Sequence, residues 1–263
     1  MNGLERFERT SFSALHWTRD VYRAGSGPGV LVMHEVPGLH PRVIEFGQRL
    51  VDAGFSVAMP DLLGVAGRTA TPLYNVGSML RACIAREFAV LASHRASPIT
   101  EWLRVLGRAL HAEAGGPGIG AVGMCLTGNF ALALMVDEHL LAPVLSQPSL
   151  PFPLGRARKA ALHIAPEQLE QVKARARAGA CVLGLRFTGD PLVPAERFAT
   201  LRRELGDAFE AIEIDSKRGN PHGIARTAHS VLAFDLVDEP GHPTREALER
   251  VIAFFDARLR QGS

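Results

Sequence analysis

The amino-acid sequence predicts an α/β fold, a three-layer sandwich in which helices cover both faces of a mostly parallel central sheet. Short continuous apolar runs alternate with amphipathic segments along most of the chain, which is typical of strands buried on both faces. Within residues 30–59, an apolar run, a helical pattern and a second apolar run follow one another. Such a unit favours parallel strands with a right-handed crossover. We therefore expect a single α/β domain over residues 1–263, with possible edge strands in residues 1–29.

The predicted strands are short apolar runs that end at Gly, Pro or a polar residue. The clearest is Val30-Leu31-Val32-Met33, which follows a glycine-rich turn and ends at His34-Glu35. The predicted strands cover residues 30–33, 55–59, 119–122, 140–146, 181–187 and 209–214. Before them, the polar segment around residues 14–23 predicts one or two edge strands.

The predicted helices have apolar residues at helical spacing, and several begin with proline in the first turn. They cover residues 41–51, 76–91, 99–113, 130–136, 166–178, 194–205 and 244–259. Three segments rich in Gly, Pro and polar residues predict loops that supply pocket walls, at residues 62–75, 147–154 and 215–227.

Composition excludes several classes of function. The net charge of +2 arises from 29 basic and 27 acidic residues without a concentrated basic face, so we expect no nucleic-acid partner. The start of the sequence lacks a signal pattern and no apolar run approaches a membrane span, so we expect no membrane association. Cys83, Cys125 and Cys181 are widely spaced, which argues against disulfides or structural zinc and for a cytoplasmic location. No HExxH motif is present, so we expect no metal.

The stretch from residue 119 to 137 predicts a sharp turn from a strand into a helix. An apolar strand runs into Gly123-Met124-Cys125-Leu126-Thr127-Gly128 and then into a helical pattern. Such a turn can hold one side chain at its apex in a strained conformation above the sheet, and glycines on either side make room for it. This is the layout of a nucleophile elbow, with cysteine at the position that serine usually occupies. A cysteine in this context is also compatible with simple packing, so the interpretation depends on partner residues.

Partners of the required types follow the ends of other predicted strands. Function in parallel sheets collects at the carboxyl ends of strands, where Glu35, Cys125, Asp190 and the loop with His222 and His229 are expected. The chain order is nucleophile, acid, histidine. A histidine must take the thiol proton and return it to the leaving group, while a carboxylate orients the ring and offsets its charge.

The elbow also predicts how the reacting charges are stabilised. Cys125 would lie at a helix N-terminus, whose partial positive charge favours the thiolate. The backbone N–H groups of Leu126 and Val36 occupy the positions from which an oxyanion hole is expected.

Three motifs together resemble the dienelactone hydrolase family of α/β-hydrolases. They are VLVMHEVPGLHPRVIEFGQRLVDAGFSVAMPDLLG, the elbow GMCLTG and the acid loop TGDPLVP. The resemblance extends over most of residues 30–260. It implies a cysteine hydrolase of small esters or lactones that uses a thioester acyl-enzyme and no cofactor. It also implies that Glu35 hydrogen-bonds the resting thiol until substrate displaces it.

Two departures from the family pattern affect the site. Thr127 replaces a glycine of the elbow, so we expect a crowded turn. His229, in AHSVL, and His222, in HGIART, both resemble the family's histidine segment. The spacing to Phe254 favours His229 as the base, with His222 as the alternative. If His222 were the base, Arg226 would become a candidate to bind a substrate carboxylate.

Two other functions remain compatible with the sequence. The first is a non-catalytic binding protein of this fold with a vestigial thiol, which Thr127 supports. The second is another acyl-transfer or carbon–carbon hydrolase activity, because fold does not fix function. Convergence of Cys125, Asp190 and one histidine in a pocket would favour the enzyme.

Overall fold

The structure of the chain is a computed structural model that describes residues 3–71, 77–78, 98–149 and 155–260. Its described part contains an eight-stranded sheet. The strands are β1 (Glu8–Ala14), β2 (Trp17–Ala24), β3 (Gly29–Met33), β4 (Ser56–Pro60), β5 (Ile119–Met124), β6 (Leu140–Ser146), β7 (Val182–Phe187) and β8 (Phe209–Ile214). They lie in the order β1-β2-β4-β3-β5-β6-β7-β8.

The sheet is mostly parallel, as predicted. Strands β3 to β8 pair in parallel, whereas β1 and β2 form an antiparallel hairpin whose second strand pairs with β4. The hairpin is longer than the edge strands expected around residues 14–23. Leu15 and His16 take positive φ angles and form the turn that reverses the chain.

The described helices agree closely with the helical patterns. They are α1 (Pro41–Asp52), α2 (Pro98–Ala114), α3 (Gly128–Leu134), α4 (Gly155–Ala160), α5 (Pro166–Arg177), α6 (Ala195–Leu205) and α7 (Pro243–Leu259). Sequence periodicity missed α4, which is a short charged helix with no buried residue. Most of the helix predicted over residues 76–91 and most of the loop predicted over 147–154 lie outside the described residues. Across the described part, every helix is too short or too polar to cross a bilayer.

Two apolar clusters cover the two faces of the sheet and fix the strand ends relative to one another. One contains Trp102 of α2 and Phe130 of α3 with the side chains of one sheet face. The other contains Phe46 of α1 and Phe255 of α7 with the opposite face. All four aromatic rings are almost fully buried, so each contributes on the order of 2–3 kcal/mol of hydrophobic stabilisation. Loops at the carboxyl ends of β3, β5, β6 and β7 therefore start from rigid positions.

Candidate active site

The turn after β5 has the strained geometry expected of a nucleophile elbow. Cys125 adopts a φ of 57°, in the left-handed region that non-glycine residues rarely occupy. A Cβ on Gly123 would lie 2.1 Å from the carbonyl oxygen of Thr127, and a Cβ on Gly128 would lie 2.8 Å from Cα of Pro148. Glycine is therefore required on both sides of the apex, and the sharp turn predicted from the sequence is confirmed.

Thr127 does not crowd this turn, and that expectation is wrong. Its φ of −75° and ψ of −11° are ordinary helical values that need no glycine. Its buried hydroxyl accepts a hydrogen bond from the N–H of Met124 at 2.9 Å and lies 2.9 Å from the carbonyl oxygen of Met33, to which it can donate. Thr127 therefore fastens the elbow to the end of β3.

Asp190 and His229 form a short hydrogen bond across the carboxyl edge of the sheet. Asp190 follows β7 and is 3 % exposed. Its Oδ2 is 2.6 Å from Nδ1 of His229, and its Oδ1 accepts the N–H of Leu192 at 2.9 Å. A carboxylate can only accept a hydrogen bond, so the shared proton is carried by Nδ1 of His229. Nε2, the second ring nitrogen, takes no part in this hydrogen bond.

The other ring nitrogen of His229 is available to Cys125. Nε2 is buried and, among the described residues, has no hydrogen-bond partner of normal geometry. Burial alone would lower the pKa of His229, but the electrostatic interaction with Cys125 and the hydrogen bond that the ring donates to Asp190 outweigh it and raise that pKa well above its usual value. Cys125 and Asp190 are thus the two groups that raise the pKa of this ring.

His222, the alternative base, lies in a different environment. Its side chain is exposed on a groove between β8 and α7, and its ring contacts that of His242 at a centroid distance of 5.3 Å. It is His229, not His222, that the structure pairs with Asp190. Arg226 is also exposed, and its proposed role depended on His222 acting as the base.

Among the described residues, Glu35 makes its hydrogen bonds to groups other than the thiol that the family resemblance assigned to it. This carboxylate is 2 % exposed. Oε1 accepts hydrogen bonds from the Ser230 hydroxyl at 2.7 Å and from Nε2 of His40 at 3.1 Å, and Oε2 accepts the side-chain amide of Gln147 at 3.0 Å. Both oxygens are thus satisfied by protein donors, which removes the need for a thiol proton.

The network around Glu35 holds the histidine loop. Ser230 follows His229 directly, and its hydroxyl also accepts the N–H of Phe234 at 3.0 Å. The backbone N–H groups of His229 and Ser230 both donate to Oδ2 of Asp235, at 2.9 and 2.8 Å. The N–H of Val231 donates to the Gln147 side chain at 3.3 Å. Glu35 therefore anchors the segment that carries His229.

Ser149 is a site residue that sequence reasoning did not single out. Its Oγ lies 3.0 Å from Sγ of Cys125. The sequence placed it only in a proline-rich loop after β6. Its position directly beyond the carboxyl end of the strand next to β5 was the available signal.

The two expected oxyanion donors, Val36 and Leu126, follow the ends of β3 and β5. Val36 follows Glu35 after β3, and within the described ranges its N–H makes no hydrogen bond. Leu126 is the first residue after Cys125 in a helical turn, where N–H groups lack an intrahelical partner.

As for metals, no group of three or more ligating side chains occurs in the part of the chain that the structure describes.

Solved structures of similar fold are hydrolases of low sequence identity. A dienelactone hydrolase-like promiscuous phosphotriesterase from metagenomic libraries is 18% identical with a TM-score of 0.62, over 96% of this chain and 98% of that chain. The dienelactone hydrolase of Anabaena variabilis ATCC 29413 is 16% identical with a TM-score of 0.60, over 97% and 100% of the two chains. A cold-adapted esterase from an Arctic intertidal metagenomic library is 16% identical with a TM-score of 0.58, over 96% and 94%. These likenesses show an α/β-hydrolase fold.

Sequence comparison identifies the family directly. No curated protein shows significant sequence similarity to the chain. The model of the dienelactone hydrolase family matches residues 12–259, which includes the elbow, the acid loop and the histidine loop. The chain is a dienelactone hydrolase-like hydrolase and belongs to the dienelactone hydrolase family.

Proposed function

We propose that the chain is a cysteine-dependent hydrolase of small esters or lactones that works through a thioester acyl-enzyme. The observation that carries the proposal is the hydrogen bond between Asp190 and His229, whose second nitrogen is left for the cysteine at the apex of the elbow. Cys125 is the nucleophile, His229 the general base and acid, and Asp190 the residue that orients the ring.

Acylation follows from this arrangement. The thiol proton of Cys125 passes to Nε2 of His229, and the sulfur attacks the carbonyl carbon of the ester or lactone. The carbonyl oxygen becomes an oxyanion, which the N–H groups of Val36 and Leu126 stabilise. As the intermediate collapses, the C–O bond breaks and His229 gives its proton to the leaving alkoxide. In a lactone, that alkoxide remains tethered to the acyl group.

Deacylation uses the same groups in reverse. His229, now neutral, removes a proton from water, and the hydroxide oxygen attacks the thioester carbon. The intermediate collapses with release of the thiolate, which recovers its proton from the imidazolium. The products are a carboxylic acid and the free enzyme.

Glu35 takes a positioning role in this proposal. Because it holds Ser230, it fixes the backbone beside His229 and so the distance from the ring to Cys125. A displacement of about 1 Å in such a group can cost about 10²-fold in rate.

Thr127, which supported the non-catalytic alternative, favours it less once its geometry is known. Its hydroxyl fastens the elbow to β3 instead of distorting it. A binding protein with a vestigial thiol would have no need of a histidine that a buried carboxylate orients.

Steady-state hydrolysis of p-nitrophenyl esters and of a small lactone tests the proposal. Cys125→Ala removes the nucleophile and is expected to lower kcat/KM by at least about 10³-fold. Cys181→Ala is the matched control, because this partly exposed thiol lies away from the elbow and contacts Arg258. Equal loss in both variants, or no loss in Cys125→Ala, would contradict the proposal.

A further inference from the structure

The sulfur of Cys125 has a second polar neighbour besides His229. The hydroxyl of Ser149 lies 3.0 Å from Sγ, and both residues are buried, at 3 % and 9 % exposure. Among the described residues, this hydroxyl has no hydrogen-bond partner other than the sulfur. A buried hydroxyl proton needs an acceptor, and the sulfur is the acceptor at hand.

Three hydrogen bonds fix the backbone at Ser149 and at the residue before it. Its N–H donates to the carbonyl oxygen of Cys125 at 3.0 Å. Its own carbonyl accepts the side-chain amide of Asn129 at 2.9 Å. The preceding carbonyl, of Pro148, accepts Nη1 of the buried Arg197 at 2.6 Å. Ser149 is therefore held in register with the elbow before any substrate binds.

The chemistry of the two groups decides the direction of the hydrogen bond. A thiol is a weak donor, and a thiolate has no proton to donate. Once the proton of Cys125 has moved to His229, the sulfur can only accept, and Ser149 can only donate. Hydrogen bonds to an ionised acceptor are roughly twice as strong as neutral ones.

We propose that Ser149 donates a hydrogen bond to the sulfur of Cys125 and stabilises its thiolate, in the place where the family resemblance assigned a contact to Glu35. The proposal rests on the proposed nucleophilic role of Cys125. No proton leaves Ser149 in this step: the thiol proton resides on His229, and the serine hydroxyl remains intact. When the sulfur attacks a carbon, its charge moves away and the hydrogen bond weakens.

This mechanism predicts a specific pH signature. Without the hydroxyl, the thiolate of Cys125 loses a stabilising hydrogen bond, so a higher pH is needed to form it. Once the thiolate has fully formed, the sulfur without its hydrogen bond reacts as fast or faster. The effect is therefore a shift of the pH profile without a lower plateau, which a packing defect would not produce.

The experiment measures the rate of iodoacetamide alkylation of Cys125 against pH in the full chain, with peptide mass spectrometry to separate the cysteines. Ser149→Ala is expected to shift the midpoint upward by about one pH unit, which makes alkylation roughly tenfold slower below the midpoint. Ser149→Thr keeps the hydroxyl and is expected to restore the wild-type midpoint. Cys181, alkylated in the same samples, provides an internal control whose profile stays unchanged.

The pair Ser149→Thr and Ser149→Val keeps the proposal testable if the alanine variant does not fold. These two side chains have nearly the same shape and differ by one hydroxyl, so only the valine variant is expected to show the shift. An unchanged midpoint in Ser149→Ala or Ser149→Val would overturn the proposal, as would an equal shift in the threonine variant. Because alkylation needs no ester, failure of hydrolysis and failure of this proposal are separate results.

Discussion

Two buried carboxylates, Asp190 and Glu35, stand at the carboxyl ends of parallel strands in the same site. Both are almost fully buried, at 3 % and 2 % exposure. Asp190 bonds one ring that has a free second nitrogen, whereas Glu35 is enclosed by three side-chain donors. Each carboxylate bonds one histidine, but the ring bonded to Asp190 also interacts with Cys125. Asp190 can therefore assist proton transfer, while Glu35, which also binds Ser230 and Gln147, acts as an anchor. The two carboxylates therefore differ in role because they have different hydrogen-bond partners, not because they lie at different positions in the sheet.

Asp190→Asn tests the first role and is expected to have the largest effect among these changes. The amide can still bond the ring but favours the wrong tautomer and supplies no charge, so kcat should fall by about 10³–10⁴-fold. Ester hydrolysis measured against wild type checks this, with circular dichroism to confirm folding. A loss smaller than tenfold would show that the two carboxylates are not distinct in function.

Glu35→Gln tests the second role. The new amide N–H₂ would face donors from Ser230 and Gln147, which leaves buried donors unsatisfied. We expect the free energy of unfolding to fall by about 1–3 kcal/mol and kcat by about 10–100-fold through displacement of the histidine loop. Denaturant unfolding and steady-state kinetics measure both. If the free energy of unfolding were unchanged while the pH profile of Cys125 alkylation changed, Glu35 would instead be a direct partner of Cys125.

The charge of His229 gives a pH dependence with a definite sign. Because its pKa is raised in the folded protein, its stabilising contribution is fully present below the unfolded pKa of about 6.5. This contribution is lost as pH rises through the folded value. We therefore expect the stability difference between wild type and His229→Gln to shrink from pH 6 toward alkaline pH in denaturant unfolding. A difference that grows with pH would contradict the assignment of the cation to this ring.

His222→Ala is the matched control on the second candidate histidine. The side chain is exposed and contacts only the ring of His242 among the interactions described, so kcat/KM should stay within about twofold of wild type and stability within about 0.5 kcal/mol. Parallel assays with His229→Ala make the comparison direct. If His222→Ala were the inactive variant, the assignment of the base would be reversed.

Much of the fold was predictable because its signals are local. The apolar run of β3, the proline that begins α1 and the glycines around Cys125 each fix a nearby element. The order of Cys125, Asp190 and the histidines was also readable from strand ends.

Contacts between distant segments were not predictable in the same way. Glu35 and Ser230 are 195 positions apart, and no pattern within either segment predicts the hydrogen bond between them. The same holds for Ser149 and Cys125, whose contact depends on the path of the loop after β6. The conformation of Thr127 was missed because a family comparison at one position carries no φ and ψ values.

The most direct test of the central claim is to trap the acyl-enzyme. Wild-type protein mixed with a stoichiometric p-nitrophenyl ester is quenched in acid within the first turnover, and the peptides are analysed by mass spectrometry. The account predicts one acyl group on the peptide that contains Cys125, and none in Cys125→Ala. Rapid ester hydrolysis with no acyl group on that peptide, or an acyl group retained elsewhere in Cys125→Ala with full activity, would contradict it.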